Sequence, residues 1–490
     1  MATQKGSQII PFDNWNLGGL SDSQWSGGAH SAYKIVGMNL HQIPGIARAA
    51  QKMVQVTAAD MDELCKCSVA STNGHTYYFS YESGKIWMRH GTTGTVSLMY
   101  TTVPSVGHAE CLGAFEYQNN IYWATENKLH RIASINATTS GDWTTYASPN
   151  WATFKNGDDL FHPMREQNLV LYIGDANSLA QVDGGTFSPE AVDIKQPLRI
   201  KSIGKIFTDL LFGTYVSDSV TKTELFRWNT FSGSFQVSNQ IDEVGINAFL
   251  QTDSFVYVQA GLSGRIYVYD YTNNRLESFK AIPGEYSPTA YCTTNPDAVA
   301  TINGIALFGI SNGLGNPCDE GVYAIGRHSR NYPYILDMPY PLSPRDGDEF
   351  VLSGLQIGTI CVSGFNVFVQ WKRTDSNNNV TVGLDKLDYS TKLNGGYITS
   401  RIMSNDRTVN ANPDKFLVAY ASMPADCSVQ ISYSRNYEAF KDTVVKPDTQ
   451  RNIVYAEASR MEATTFQMKI KMITSGNLGP ELESAGVKLV

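Results

Sequence analysis

A hairpin of two apolar strands recurs along this chain, and its recurrence limits the possible folds more than any other feature. The best-formed copy runs from Phe255 to Tyr271, FVYVQAGLSGRIYVYDY, with Gly261 and Gly264 bracketing its turn. β-Branched and aromatic residues suit a pleated strand, and glycine accepts the positive φ of a tight turn. Seven copies follow this pattern, with second strands centred 41 to 56 residues apart, near Trp87, Leu129, Leu179, Phe226, Tyr267, Tyr323 and Val367.

This spacing is typical of β-propeller blades, which repeat at roughly 40–50 residues. One blade cannot bury both faces of its sheet, whereas a closed ring of blades can. We therefore predict an all-β fold with a seven-bladed β-propeller, or a six-bladed one if one copy is misassigned. A pair of unrelated β-sandwiches is the other interpretation, because sandwiches also consist of short strands separated by turns.

The two ends of the chain differ from the repeats in their pattern of apolar and glycine residues, and this difference predicts three regions. Residues 1–62 form an extended N-terminal arm, 63–393 the β-propeller, and 394–490 a C-terminal β-sandwich. The last region contains strands such as Ser428–Tyr433, in which apolar and polar residues alternate as in a half-exposed antiparallel sheet.

The arm carries isolated apolar residues separated by glycine pairs, so it cannot bury much surface on itself. It must lie on its own domain or on a neighbouring subunit, since termini are ordered only where they are tied down. The candidate subunit-interface residues of the arm are Trp15, Leu17, Leu20, Trp25, Ile43, Pro44 and Ile46.

Composition and motifs give no sign of catalysis. The formal net charge of −8 provides no basic footprint for nucleic acid, and no apolar run is long enough to span a membrane. The eight histidines and seven cysteines lack metal-ligand spacing, so we predict no metal, no cofactor and no enzymatic activity. The acidic cluster 345–349 and the segment 375–379 are interpreted as polar loops.

One aromatic loop could contact a ligand. Trp143, Tyr146 and Trp151 stand among Ser, Thr and Gly, where they could stack on a sugar or a host receptor. Packing of an insertion onto the propeller is the favoured interpretation, because buried aromatics are the commoner use. Specific contacts are otherwise expected in the long loops of the fourth and sixth copies.

The ends of the chain carry a family resemblance. Asn14-Trp-Asn-Leu-Gly-Gly-Leu20, followed by Ile43-Pro-Gly-Ile46, resembles the N-terminal pattern of β-propeller virion proteins of tailed bacteriophages. Gly479-Pro-Glu-Leu-Glu-Ser484 is similar to the closing motif of that family, whereas Ala47-Arg48 places the basic residue one position late.

The resemblance implies a structural component of the tail, in its nozzle, hub or tail-end region. Such a protein assembles with other copies of itself as a ring around the tail axis. It contacts neighbouring tail or head–tail connector proteins, with no membrane anchor and no sequence-specific nucleic acid. The expected location is the virion, after synthesis in the bacterial cytoplasm. The alternative function is a carbohydrate- or receptor-binding propeller at the tail tip, or a divergent glycan-active protein.

Overall fold

A computed structural model describes most of the chain. The described residues are 8–25, 30–56, 61–216, 222–287, 289–312, 318–344, 354–375, 377–404, 413–458 and 463–489. The acidic cluster 345–349 and most of the two long loops named above lie outside these ranges. Within them, no helix is long and apolar enough to cross a membrane.

Six four-stranded antiparallel sheets form the blades of a β-propeller. Blade 1 consists of Cys65–Ala70, Thr76–Ser80, Lys85–Arg89 and Val96–Thr101. Blade 2 consists of Gly113–Tyr117, Asn120–Ala124, Lys128–Ala133 and Ser148–Thr153. Blade 3 consists of Met164–Gln167, Val170–Asp175, Ser178–Asp183 and Thr186–Asp193. Blade 4 consists of Arg199–Ile206, Asp209–Tyr215, Thr223–Trp228 and Val237–Ile241. Blade 5 consists of Ile246–Gln251, Val256–Ala260, Arg265–Asp270 and Arg275–Ala281. Blade 6 consists of Leu355–Ser363, Asn366–Thr374, Val380–Lys392 and Gln51–Val56.

The hairpin from Phe255 to Tyr271 is the centre of blade 5. Val256–Ala260 is buried along its whole length and pairs in register with Arg265–Asp270, as in Tyr257 opposite Val268. Gly261 and Gly264 have φ of 70° and 61° at the turn. The local prediction of strand, glycine turn and strand is therefore confirmed.

Two larger sheets hold the remaining strands. The eleven-stranded long sheet contains Cys292–Thr293, Val299–Ile302, Ile305–Asn312, Gly321–Gly326, Ile335–Tyr340, Ser31–Val36, Gly19–Leu20, Tyr397–Ser400, Phe466–Ile473, Ser428–Arg435 and Lys441–Asp442. The seven-stranded terminal sheet contains Gln8–Asp13, Met38–Asn39, Ala47–Ala49, Pro413–Ser422, Val445–Asp448, Ile453–Glu457 and Glu481–Leu489. Three short helical segments complete the described structure: Trp15–Gly18, Ser134–Asn136 and Ser140–Tyr146.

The structure corrects the main prediction of seven blades to six. The sixth predicted copy forms the 299–340 meander, which lies inside the long sheet. Its last strand does not end as the free edge of a blade, because Met338 pairs with Val36 of the N-terminal region. One predicted unit is therefore continuous with strands from both ends of the chain.

The N-terminal region packs within its own chain. Gln8–Asp13 pairs with Glu481–Leu489, and Gln51–Val56 supplies the fourth strand of blade 6. This last pairing joins a strand near the beginning of the chain to one more than 300 residues later, so the ring of blades is completed by the N-terminal region.

The long and terminal sheets share one hydrophobic cluster. Phe416 of the terminal sheet stacks on Tyr433 of the long sheet, with ring centroids 5.1 Å apart and an interplanar angle of 8°. Val487 and Ile470, one from each sheet, are fully buried in the same cluster. The C-terminal β-sandwich itself stays a prediction.

Candidate functional site

The innermost strands of the blades surround a central channel, which contains a cavity of about 110 Å³. The alternation of side chains along these strands brings Lys66, Arg165 and Lys201 into the cavity from blades 1, 3 and 4. Asp297, just before the 299–340 meander, lines the same space. The ring thus collects three cationic side chains and one carboxyl group that are far apart in sequence.

The two lysines have no carboxylate partner within the described residues. Lys66 Nζ lies 3.1 Å from the ring centroid of Tyr81, a cation–π contact. Lys201 Nζ donates a hydrogen bond of 2.6 Å to Asn247 Oδ1, a neutral acceptor. Burial lowers the pKa of Lys66 to about 8, and burial together with the charge of Lys66 lowers the pKa of Lys201 to about 8. Both ammonium groups are therefore poorly compensated.

Arg165 is in a similar position. Its Nε is buried and has no hydrogen-bond partner. Burial lowers the pKa of the guanidinium group, although nearby Asp297 favours the charged form. A buried donor without an acceptor is costly, so this nitrogen marks a place where an acceptor is missing.

Asp297 joins three parts of the ring. It accepts hydrogen bonds of 2.8 Å from the backbone N–H of Ser68 in blade 1 and from the hydroxyl of Thr359 in blade 6. Burial raises its pKa to about 7, against the opposing effect of these hydrogen bonds. Near neutral pH this carboxyl group therefore only partly offsets the surrounding positive charge.

Another cation beside the channel is fully paired. Arg199 donates through Nε to Asp158 at 2.9 Å and through Nη2 to Asp159 at 2.6 Å. Its positive charge is thus neutralised by two carboxylates, in contrast to the charges of Lys66 and Lys201.

A second feature is the hairpin face, defined as the connections between strands one and two and between strands three and four of the blades. Neighbouring tips meet there, as where Gln167 Nε2 donates to the carbonyl oxygen of Phe207 at 3.1 Å. Large apolar side chains on this face are between 37% and 91% exposed: Ile135, Tyr146, Leu169, Phe207, Phe231, Phe255, Tyr271 and Phe365. At the opposite end, the large apolar side chains exposed in the described connections between blades are three valines, Val103, Val106 and Val244.

Two of these tips hold bulky residues in an unfavourable conformation. Leu169 and Phe207 have φ of 62° and 52°, although 74% and 75% of their surfaces are exposed. The left-handed region costs such residues about 1–2 kcal/mol. By contrast, the equivalent turn of the 299–340 meander uses Asn303 and Gly304, which suit positive φ.

The predicted interface residues of the arm differ in their exposure. Trp15 and Leu20 are buried within their own chain, and Trp15 packs edge-on against Phe12 at 5.5 Å. Leu17 is 42% exposed and Trp25 is 45% exposed.

The other arm candidates form a tight turn. Ile43, Pro44 and Ile46 are half-buried or exposed, and the N–H of Ile46 donates to the carbonyl oxygen of Ile43 at 3.3 Å. Gly45 has a φ of 71°, as a turn of the Pro-Gly kind requires.

The aromatic loop is folded onto blade 2. Trp143 is fully buried and packs against Trp123 at 5.5 Å, so its ring faces protein. Trp151 is half-buried with Arg131 over its ring at 4.2 Å, whereas Tyr146 is 53% exposed.

The repeated pattern in the sequence does not single out the channel residues. Each predicted unit is defined by its central hairpin, which leaves out the inner strand; in blade 1 this strand reads Cys-Lys-Cys-Ser-Val. A lone charged residue inside such a strand was the available signal. Within the described residues, no group of three or more His, Cys, Asp or Glu could hold a metal ion.

Three solved structures have a low similarity to this chain. No family model and no curated protein matches the chain. A streptogramin B lyase structure has a TM-score of 0.44 at 11% identity, over 69% of this chain and 98% of the lyase. The Dos1 propeller has a TM-score of 0.41 at 14% identity, over 72% of this chain and 92% of Dos1.

A third solved structure covers more of the chain. An exo-β-1,3-galactanase from Phanerochaete chrysosporium has a TM-score of 0.30 at 11% identity, over 96% of this chain and all of the galactanase. Similar structures include enzymes as well as proteins that are not enzymes, so the likeness does not decide whether this chain has a catalytic activity.

Proposed function

We propose that this chain is a structural subunit of a tailed-phage virion, and that copies of it assemble as a ring around the tail axis. The observation that carries the proposal is the hairpin face. Exposed aromatic and aliphatic side chains gathered on one side of a rigid ring are typical of a protein–protein contact surface. A neighbouring copy or an adjacent tail protein would cover these side chains.

The strained tips add to this argument. Leu169 and Phe207 expose large apolar surfaces at positions where glycine or asparagine would stabilise the isolated subunit. A residue that is unfavourable for the free subunit is understandable if its side chain is buried in an assembly, because burial of a Leu or Phe side chain contributes about 1.5–3 kcal/mol.

The assignment to phage virions is supported by the terminal motifs. The closing motif 479–484 pairs with both N-terminal motifs. Asp13, beside the 14–20 motif, lies opposite Ser484. Arg48, which follows the Pro-Gly turn, lies opposite Glu481 and forms an ion pair with it. The segments that carry the resemblance are thus one structural unit.

The 299–340 meander lies between two blades of the six-bladed propeller. Thr301 Oγ1 donates to the carbonyl oxygen of Gln251 in blade 5 at 2.8 Å. On the other side, the N–H of Ile357 in blade 6 donates to Ser311 Oγ of the meander at 2.9 Å. The meander therefore contacts the blades on both of its sides, and we also propose that the long and terminal sheets form the C-terminal β-sandwich beside it.

The first test is the oligomeric state of the purified full chain, measured by sedimentation velocity. We expect a ring-sized oligomer. A triple variant with Phe207→Ser, Phe231→Ser and Phe365→Ser should shift toward the monomer while its circular dichroism is unchanged. The control is Val103→Ser with Val106→Ser, at the opposite end of the blades, which should assemble normally.

The second test is the particle. Purified tailed-phage particles that contain this chain should hold several copies of it per virion, and a reconstruction should show them as a ring around the tail axis. A chain that is monomeric in solution and absent from purified particles would contradict the proposal. If such a monomer instead bound oligosaccharides through the loop containing Tyr146 and Trp151, the alternative function would be supported.

A further inference from the structure

We propose that the central channel is a binding site for a small tetrahedral oxyanion, inorganic phosphate or a phosphomonoester, held between Lys66, Arg165 and Lys201. This inference goes beyond the proposed role in assembly and does not depend on it, because the site lies inside one chain.

Charge balance is the first argument. Three cationic groups share a confined space with one carboxyl group, Asp297. Other acids in this region already have cationic partners: Arg199 engages Asp158 and Asp159, and Lys372 engages Glu82, whose charge acts on Lys66. Enclosed charges are costly unless an opposite charge compensates them. The whole chain has a formal net charge of −8, so this cationic cluster does not follow from a generally basic composition.

The unused donors are the second argument. Arg165 Nε is buried with no acceptor. The Lys66 ammonium group contacts the Tyr81 ring, and that of Lys201 contacts the Asn247 amide oxygen and lies 5.1 Å from the Phe161 ring centroid. Lysine can donate three hydrogen bonds and arginine five. An oxyanion is the ligand that accepts from several such donors at once, and both residue types bind phosphate in proteins.

The size of the cavity restricts the class of ligand. About 110 Å³ is several times the ~10–15 Å³ that one water requires, so a small polyatomic ion fits. It is well below the roughly 300–1,000 Å³ of pockets for drug-sized molecules. The donors also approach from three different blades, which suits the divergent oxygens of a tetrahedral anion better than the two coplanar oxygens of a carboxylate.

The experiment measures the binding of inorganic phosphate to the full chain by isothermal titration calorimetry, at constant ionic strength set with sodium chloride. Glycerol 3-phosphate is titrated as the phosphomonoester and acetate as the carboxylate. We expect phosphate to bind at one site per chain and acetate to bind at least tenfold more weakly. Binding of the ester as tight as that of phosphate would identify an ester ligand, and binding of phosphate alone would identify the free ion.

Variants locate the site. Lys66→Met and Lys201→Met should each weaken phosphate binding at least tenfold, and in phosphate-free buffer each should unfold at a higher temperature than the wild type because an uncompensated cation is removed. Lys201→Gln is measured in place of Lys201→Met if the methionine variant does not fold. The control is Lys446→Met, an equal change in net charge at an exposed lysine paired with Glu457 at 3.0 Å, which should leave binding unchanged.

Two results would overturn the proposal. One is phosphate binding that is equal in the wild type and in both channel variants, which would place the anion elsewhere on the surface. The other is the absence of any phosphate-dependent heat or rise in unfolding temperature beyond that produced by chloride at the same ionic strength.

Discussion

The hairpin tip at Leu169 allows a sharp test of the claim that the hairpin face carries residues unfavourable for the free subunit. Asn168 and Leu169 both have positive φ, 52° and 62°, in a two-residue turn between Gln167 and Val170. The informative perturbation is a pair of substitutions, Leu169→Gly and Leu169→Ala. Both remove the side chain, and only glycine also removes the backbone strain.

The magnitude follows from the conformation and the exposure. The left-handed conformation costs an L-residue about 1–2 kcal/mol, and glycine loses about 0.5–1 kcal/mol more chain entropy on folding than alanine. We therefore expect the glycine variant to be about 0.5–1 kcal/mol more stable than the alanine variant. Since 74% of Leu169 is exposed, either truncation loses little burial, and the wild type should lie between the variants or close to the alanine variant.

The assay is equilibrium unfolding in urea, followed by tryptophan fluorescence at a protein concentration low enough to keep the chain monomeric. The difference between the midpoints, at equal m values, gives the free-energy difference between the two variants. Phe207→Gly and Phe207→Ala provide a second, independent pair, since Phe207 has a φ of 52°.

The ordinary ranking in regular structure is the reverse, with alanine more stable than glycine by about 0.5–1 kcal/mol. If Leu169→Ala were the more stable variant by that amount, the turn would not be strained. These tips would then not lower the stability of the free subunit in favour of contacts in an assembly.

Three further predictions concern ring closure, the channel and the aromatic loop. Met53→Ala should lower the free energy of unfolding, measured by urea denaturation, by about 2–5 kcal/mol, because Met53 is buried on the strand that completes blade 6. In the same assay, Val54→Ala on the exposed side of that strand should change it by less than about 0.5 kcal/mol. Burial raises the pKa of Asp297 from 3.8 to about 7, so its protonated form stabilises the native state and that stability is lost as the pH rises from about 4 through 7. The isosteric Asp297→Asn should remove this loss and exceed the wild type in stability at pH 8 by about 4 kcal/mol, with no gain at pH 4. An equal difference at both pH values would refute the assignment. Trp143→Ala should lower the free energy of unfolding, measured by thermal or urea unfolding, by about 3–5 kcal/mol, whereas Tyr146→Ser should change it little. Equal small effects of the two substitutions would show that Trp143 is not a packing residue.

Local patterns in the sequence determined the secondary structure of the repeats. The alternation of apolar residues and the paired glycines define the hairpin of blade 5 without reference to the rest of the chain, because strand and turn preferences act over a few residues. The period of the copies likewise indicated a propeller. The count of blades depended instead on what covers the edge of the 299–340 meander, and the partner strand that holds Val36 is about 300 residues away.

The channel shows the same limit more strongly. Lys66, Arg165 and Lys201 are separated by about 100 and 36 residues, and nothing in their neighbourhoods indicates that they share a cavity.

By itself, the sequence determined that this chain consists of short apolar strands with glycine-rich turns, arranged as a repeated unit with unlike ends. Only the tertiary structure decided that both ends join one set of sheets, that the N-terminal region completes the ring through Gln51–Val56, and that three cations meet at its centre. The physical reason is that strand and turn formation depends on neighbouring residues, whereas strand pairing and charge clustering depend on which distant segments the closed ring brings together.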